Sequence, residues 1–179
     1  MKFHHFCLIL VFGLHAFAAH AETAATKAPC DDSAKVYKAC HDQEELYRAD
    51  FDRAKSEGKL LAVTLGAEWC PWCLALHHMF KDQKFASEPT ARQFVFSSIS
   101  LYQGKEKLPS GEKVLATLKE LAKYKEKISG VPVLVVVNPA NAKANFIDTE
   151  PLEKNTKKKK GHDTKKVVNA LEKAASAVR

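Results

Sequence analysis

From residue 42 onward the apolar positions of this chain switch between two spacings. Over residues 42–55, Tyr47, Phe51 and Ala54 fall at i, i+4 and i+7 with Leu46 beside them, which predicts an amphipathic helix ended by Gly58. Residues 60–65 then form a continuous apolar run between Gly58 and Gly66, the pattern of a strand buried on both faces. Helical spacing returns from Cys70 to about Asp82, with Leu74, Leu76, Met79 and Phe80 turned inward. A further helical piece runs towards Arg92, broken near Pro89, and residues 94–101 read as a second strand.

Residues 103–110 are predicted as a loop whose Ser110 caps the next helix, with Glu112 and Lys113 in its first turn. Val114, Leu118 and Leu121 form the apolar face of that helix, Leu115 and Ala122 lie alongside, and Gly130 closes the stretch. Residues 131–137 are the most β-like run in the chain. Asn138, Pro139, Ala140 and Asn141 make a turn, and residues 143–149 return as a hairpin partner. Asp163 or Thr164 caps a last helix whose core face is Val167, Leu171, Ala174 and Val178. The order from Leu60 is therefore β-α-β-α-β-β-α. It predicts an α/β protein with parallel neighbours where helices link strands, and an antiparallel edge from the late hairpin.

The N-terminus reads differently. Lys2, His4 and His5 precede an apolar run from Phe6 to about Ala19, which is shorter than the ~20 residues a spanning helix needs. Ala19, His20 and Ala21 supply a small-x-small pattern. We expect residues 1–21 to be a signal peptide cleaved after Ala21, carrying Cys7 away with it. Export and the absence of a Lys-Asp-Glu-Leu ending point to a bacterial periplasm. Residues 22–41 are an N-terminal extension, and residues 42–179 a single domain large enough for a real core.

Composition adds a formal net charge of +7, much of it from the lysine run 157–160 with Lys154, Lys165 and Lys166. Charges this close repel and stay hydrated, so a solvated loop is the first reading and an acidic partner or anionic surface the sharper one. No nucleic-acid recognition motif is present.

The chemistry lies in the cysteines. After cleavage four remain: Cys30, Cys40, Cys70 and Cys73, which allow three pairings. Sequence proximity favours Cys30–Cys40 and Cys70–Cys73. A bridge closing the short Cys30–Cys40 loop contributes roughly 3 kcal/mol in the chain-entropy model, and an oxidising compartment preserves it. A second redox pair relaying electrons is the alternative use of these two residues.

Cys70 and Cys73 sit where a strand turns into a helix. At a helix N-terminus the unpaired N–H groups and the dipole stabilise a thiolate by up to ~2 kcal/mol. Cys70 is thus the candidate nucleophile and Cys73, one turn on, the resolving thiol. Pro71 suits the first turn because its missing N–H is an orphan there anyway. Glu68 would oppose the thiolate if close. Trp72 is assigned to an apolar rim for a polypeptide substrate, and Trp69 either to that rim or to the core.

The segment Ala67-Glu68-Trp69-Cys70-Pro71-Trp72-Cys73, the strand before it and Val131-Pro132 some sixty residues later resemble the thioredoxin family over most of residues 60–178. The continuation from Leu74 to Phe85 is similar to exported thioredoxin-like proteins with a Trp-Cys-x-x-Cys motif. The resemblance implies a thioredoxin-like fold, a central mixed β-sheet flanked by helices, with a redox-active Cys70–Cys73 disulfide. It also implies a cis Val131–Pro132 bond facing that disulfide, and a Val131 backbone that pairs with an extended substrate. Two departures stand out. Thr64 occupies the position where family members often carry a buried acid, and Cys-Pro-Trp-Cys replaces Cys-Gly-Pro-Cys.

The expected function is a periplasmic protein-disulfide oxidoreductase. Its partners would be exported proteins with disulfides and a membrane or periplasmic thiol donor. No cofactor or metal is expected, and the protein is expected to be a monomer. Two other readings compete. One is a thioredoxin-like chaperone or binding module with a merely structural Cys70–Cys73 bond. The other is a metal carrier using Cys73 and His77, which lie i and i+4 on one face, with His78 adjacent. Cys70 and His77 are ~10 Å apart along a helix, too far for one metal to span easily.

Overall fold

The computed structural model describes residues 30–154 and 160–179. The expected signal peptide, the start of the extension and Lys157 to Lys159 of the lysine run lie outside the described residues. Helix α1 spans Gln43–Ser56, and Asp42 caps it by accepting the Glu44 and Glu45 N–H groups. Strand β1 is Leu60–Gly66, α2 is Pro71–Lys81 and a short α3 is Gln83–Ala86, followed by a 3-10 turn at Ala91–Gln93. Strand β2 is Phe94–Ser100, α4 is Pro109–Leu121, β5 is Val133–Asn138, β6 is Lys143–Ile147 and α5 is Thr164–Val178. Between β2 and α4 lie two short strands, β3 at Tyr102–Gln103 and β4 at Glu106–Lys107, which pair as a hairpin around Gly104 at φ +61°.

That hairpin corrects the predicted loop at residues 103–110. A second correction concerns the α4 cap. Leu108 is the N-cap and Pro109 opens the helix, so Ser110 lies inside the first turn. Proline's fixed φ starts a helix without a side-chain cap, and that preference wins here. The helix also ends at Leu121, well before Gly130.

The main sheet has the order β2-β1-β5-β6. β1 runs parallel to β2, with Leu60 opposite Phe94, and antiparallel to β5, with Leu65 opposite Val133. β5 and β6 form the expected antiparallel hairpin. A helix joins β2 to β5, yet β5 is neither beside β2 nor parallel to it, against the expectation of parallel neighbours. Residues 122–132 supply enough extended chain, at about 3.3 Å each, to retrace the roughly 20 Å of α4. The chain therefore re-enters the sheet from the end where α4 began, on the free edge of β1.

Side-chain alternation divides the core. Leu60, Ala62, Leu134 and Val136 face α2 and α5, meeting Leu76, Phe80, Val167, Leu171 and Val178. Leu61, Val63, Leu65, Val133, Val135 and Val137 face α1 and α4, meeting Ala54, Val114 and Leu118. All seven residues of β1 are buried, which explains its unbroken apolar run. This register brings the C-terminal end of β1 beside the N-terminal end of β5. The chain leaving Gly66 for Cys70 meets Val131 and Pro132 there.

Candidate active site

Cys70 is the N-cap of α2 and Pro71 its first residue. The Cys70 N–H donates to the Ala67 carbonyl at 3.1 Å, fixing the turn out of β1. Cys70 and Cys73 are joined, with S–S 2.07 Å and Cα atoms 5.2 Å apart. The Cys73 N–H donates to Cys70 Sγ at 3.1 Å, so one orphan donor of the helix end is aimed at the sulfur that would carry charge on reduction. Both are buried, Cys73 at 0% and Cys70 at 3% exposure, so what little of the pair reaches the surface belongs to Cys70.

The Val131–Pro132 peptide is cis. Its Val131 carbonyl lies 3.7 Å from Cys70 Sγ. The Thr149 hydroxyl donates to the Pro132 carbonyl at 2.9 Å, which ties the turn to the segment after β6. A groove of about 550 Å³ opens beside it, lined by Ile128, Val131, Pro132 and Phe146 among others.

Trp69 is 54% exposed, the one large apolar side chain so exposed among the described residues, and its ring meets Tyr102 edge-on at 5.4 Å. That sets aside the core assignment for Trp69. Trp72 is half-buried. His162 packs edge-on against it at 5.8 Å, and Lys160 Nζ lies 4.8 Å from the ring centroid, within cation–π range. His162 is 6% exposed and neither ring nitrogen has a hydrogen-bond partner among the described residues. Burial holds its pKa below the ordinary imidazole value. His77 bonds Ser98 Oγ through Nδ1 at 3.0 Å, and its pKa is lowered by burial first and then by Lys81 and His78. Among the described residues no group of three or more His, Cys, Asp or Glu is arranged to hold a metal.

The N-terminal extension is the part of the site that sequence reasoning missed. Cys30 and Cys40 are bonded, with Cα atoms 5.6 Å apart. Inside the loop, Asp32 accepts the Cys40 N–H at 2.8 Å. Gln43 is fully buried and links loop to sheet: its amide donates to the Lys38 and His41 carbonyls and its Oε1 accepts the Ser100 N–H at 2.7 Å. Glu68 Oε2 accepts the N–H groups of both Val36 and Tyr37 at 3.1 Å, so this carboxylate is spent on anchoring the loop. Tyr37 is thereby carried into one cluster with Ala67, Cys70 and Cys73. Thr64 is buried, its hydroxyl without a hydrogen-bond partner among the described residues. The only hint in the sequence is an aromatic residue between two cysteines, and no periodicity marks it.

A four-stranded mixed sheet, a disulfide mounted on a helix N-terminus and a cis proline opposite it define a thioredoxin-like protein. The chain belongs to the thioredoxin-like domain family, whose model matches residues 47–147. Among solved structures it is similar to a disulphide isomerase from Xylella fastidiosa Temecula1, at 18% identity and TM-score 0.55, covering 84% of this chain and 99% of that one. A thioredoxin from Thermus thermophilus aligns at 17% identity and TM-score 0.42 over 72% of this chain and 83% of that one. No curated protein sequence matches the chain.

Proposed function

We propose that the protein is a thiol–disulfide oxidoreductase of exported proteins, working through Cys70 and Cys73. The observation that carries this reading is the bonded pair at the start of α2, with the Cys73 N–H aimed at Cys70 Sγ. In the reducing direction the Cys70 thiolate attacks a client disulfide. A Cys70–client bond forms and one client sulfur leaves with the electron pair. Cys73 then attacks Cys70, the Cys70–Cys73 bond forms, and the second client sulfur is released. The client has gained two electrons, and an external dithiol must supply two more to reduce the Cys70–Cys73 bond again. Run backwards, the same steps oxidise a client.

Trp69 and Trp72 offer an apolar rim, and the Val131 backbone lies beside the sulfur, as needed to align an extended client segment. The expected setting is the periplasm, with a thiol donor there or in the membrane. The rival binding-module reading draws on the small exposure of Cys70. Reduction of insulin by dithiol-recharged protein separates the two. Cys70→Ser should abolish turnover, and Cys73→Ser should accumulate mixed disulfides on non-reducing gels. Turnover by Cys70→Ser equal to wild type would remove the enzyme reading.

A further inference from the structure

Tyr37 is fully buried, and its hydroxyl has no hydrogen-bond partner among the described residues. An unpaired buried hydroxyl is destabilising, and a phenylalanine would avoid that cost. The hydroxyl's place is specific. A Cβ built on Gly66 would lie 2.5 Å from the Tyr37 oxygen and 3.0 Å from Cys73 Cβ, so phenol and resolving cysteine crowd the same point. Tyr37, Cys70 and Cys73 belong to one packed cluster. The position is built from both sides. Cys30–Cys40 closes the loop, Glu68 holds the Val36 and Tyr37 N–H groups, and a glycine leaves room for the ring.

The missing acceptor depends on redox state. A disulfide sulfur is a weak acceptor, whereas a thiolate is charged and a strong one. Cys73 is 0% exposed in the bonded state, so its thiolate would be poorly hydrated, a costly state without a donor. Once the bond to Cys70 opens, Cys73 Sγ can turn about Cα–Cβ towards the phenol.

Building on the oxidoreductase reading, we propose that Tyr37 is the hydrogen-bond donor that stabilises the Cys73 thiolate in the second exchange step, delivered there by the disulfide-closed N-terminal loop. Tyr37 keeps its own proton, because burial and then the nearby Glu68 charge raise its pKa well above the ordinary phenol value. It donates and does not act as a base. In the step itself the Cys73 proton passes to solvent and Cys73 sulfur attacks Cys70. The Cys70–Cys73 bond forms and the Cys70–client bond breaks. The client sulfur leaves with the electron pair and takes up a proton from water.

The test is stopped-flow reaction of the full chain carrying Cys7→Ser, reduced at Cys70–Cys73 while Cys30–Cys40 stays bonded, with 5,5′-dithiobis(2-nitrobenzoate) between pH 5.5 and 9.5. The first release of thionitrobenzoate reports Cys70 and the second reports Cys73. A hydrogen bond to a charged group is worth about 1.5–3 kcal/mol, tenfold or more. Tyr37→Phe is therefore expected to slow the second phase about tenfold at neutral pH and to raise its pH midpoint by about one unit, with the first phase unchanged. The thermal midpoint of the oxidised variant should not fall, which separates this role from a merely structural one. A wild-type-like second phase and midpoint in Tyr37→Phe would overturn the assignment while leaving the dithiol reading standing. No release from wild type would remove both. If Tyr37→Phe fails to fold, 3-fluorotyrosine placed at position 37, a stronger donor, should lower the midpoint, and an unmoved midpoint would overturn the proposal.

Discussion

The sheet and the N-terminal loop of residues 30–42 are held by opposite means. Every residue of β1 is buried, and both faces of the sheet are covered by helices through alternating apolar side chains. In the loop only Asp32 and Tyr37 are buried. What holds it is one disulfide, the carboxylates of Asp32 and Glu68, and the Gln43 amide. Apolar burial is non-directional and tolerates exchange among similar side chains. A polar clamp is directional, and each partner answers for particular N–H groups. The lesson is that a segment too short and polar to make a core can still place one side chain accurately, because it borrows rigidity from a crosslink and from the sheet it touches.

Four changes would break or sharpen that contrast. On the sheet side, Gly111 lies in the first turn of α4 where an added Cβ would sit 2.0 Å from the Ser100 carbonyl oxygen. Gly111→Ala must push α4 off β2, and we expect a loss of about 3 kcal/mol of global stability by urea titration. On the loop side, Cys30→Ser combined with Cys40→Ser is expected to remove about 2–3 kcal/mol, confined to the loop. Hydrogen exchange should then rise at residues 32–41 and stay unchanged in β1 and β5. An equal rise throughout the sheet would show that the two regions fold as one unit.

Glu68→Gln removes the charge from an acceptor that serves two N–H groups. About 1–2 kcal/mol should be lost, read as faster exchange at Val36 and Tyr37 with the global unfolding midpoint little changed. The smallest effect concerns acid. The His162 and His77 pKa values are lowered in the folded protein, so below the ordinary imidazole value of about 6.5 the unfolded chain binds protons more readily than the folded one. Their contribution to stability is present above that pH and is lost as pH falls. His162→Phe keeps the ring against Trp72 and should flatten the fall in thermal midpoint between pH 7.5 and 5.5.

Most of the sheet domain was legible because periodicity reports burial. The α5 face at Val167, Leu171, Ala174 and Val178 is buried as the spacing predicts, and the capping residue is Asp163. The unbroken runs of β1 and β5 mark central strands. Where local preference and chain geometry decide, the reading failed. Proline overrode Ser110 at the start of α4, and Gly104 made a hairpin where polar residues suggested a loop. The direction of β5 depends on the path of residues 122–132, which no periodicity encodes.

The site divides along the same line. Cys70 and Cys73 announce themselves by spacing after a buried strand, since a helix start is where a thiolate is favoured. Tyr37 is an isolated aromatic in a polar stretch, and Glu68 looked like an electrostatic opponent of the thiol. Only the folded chain shows the carboxylate occupied by two backbone N–H groups and the phenol set beneath the dithiol. By itself the sequence determined which residues are apolar at which period, and hence the elements and the place of the Cys70–Cys73 pair. Tertiary structure decided which way β5 runs and what the N-terminal loop touches, because directional contacts between distant residues leave no local pattern to read.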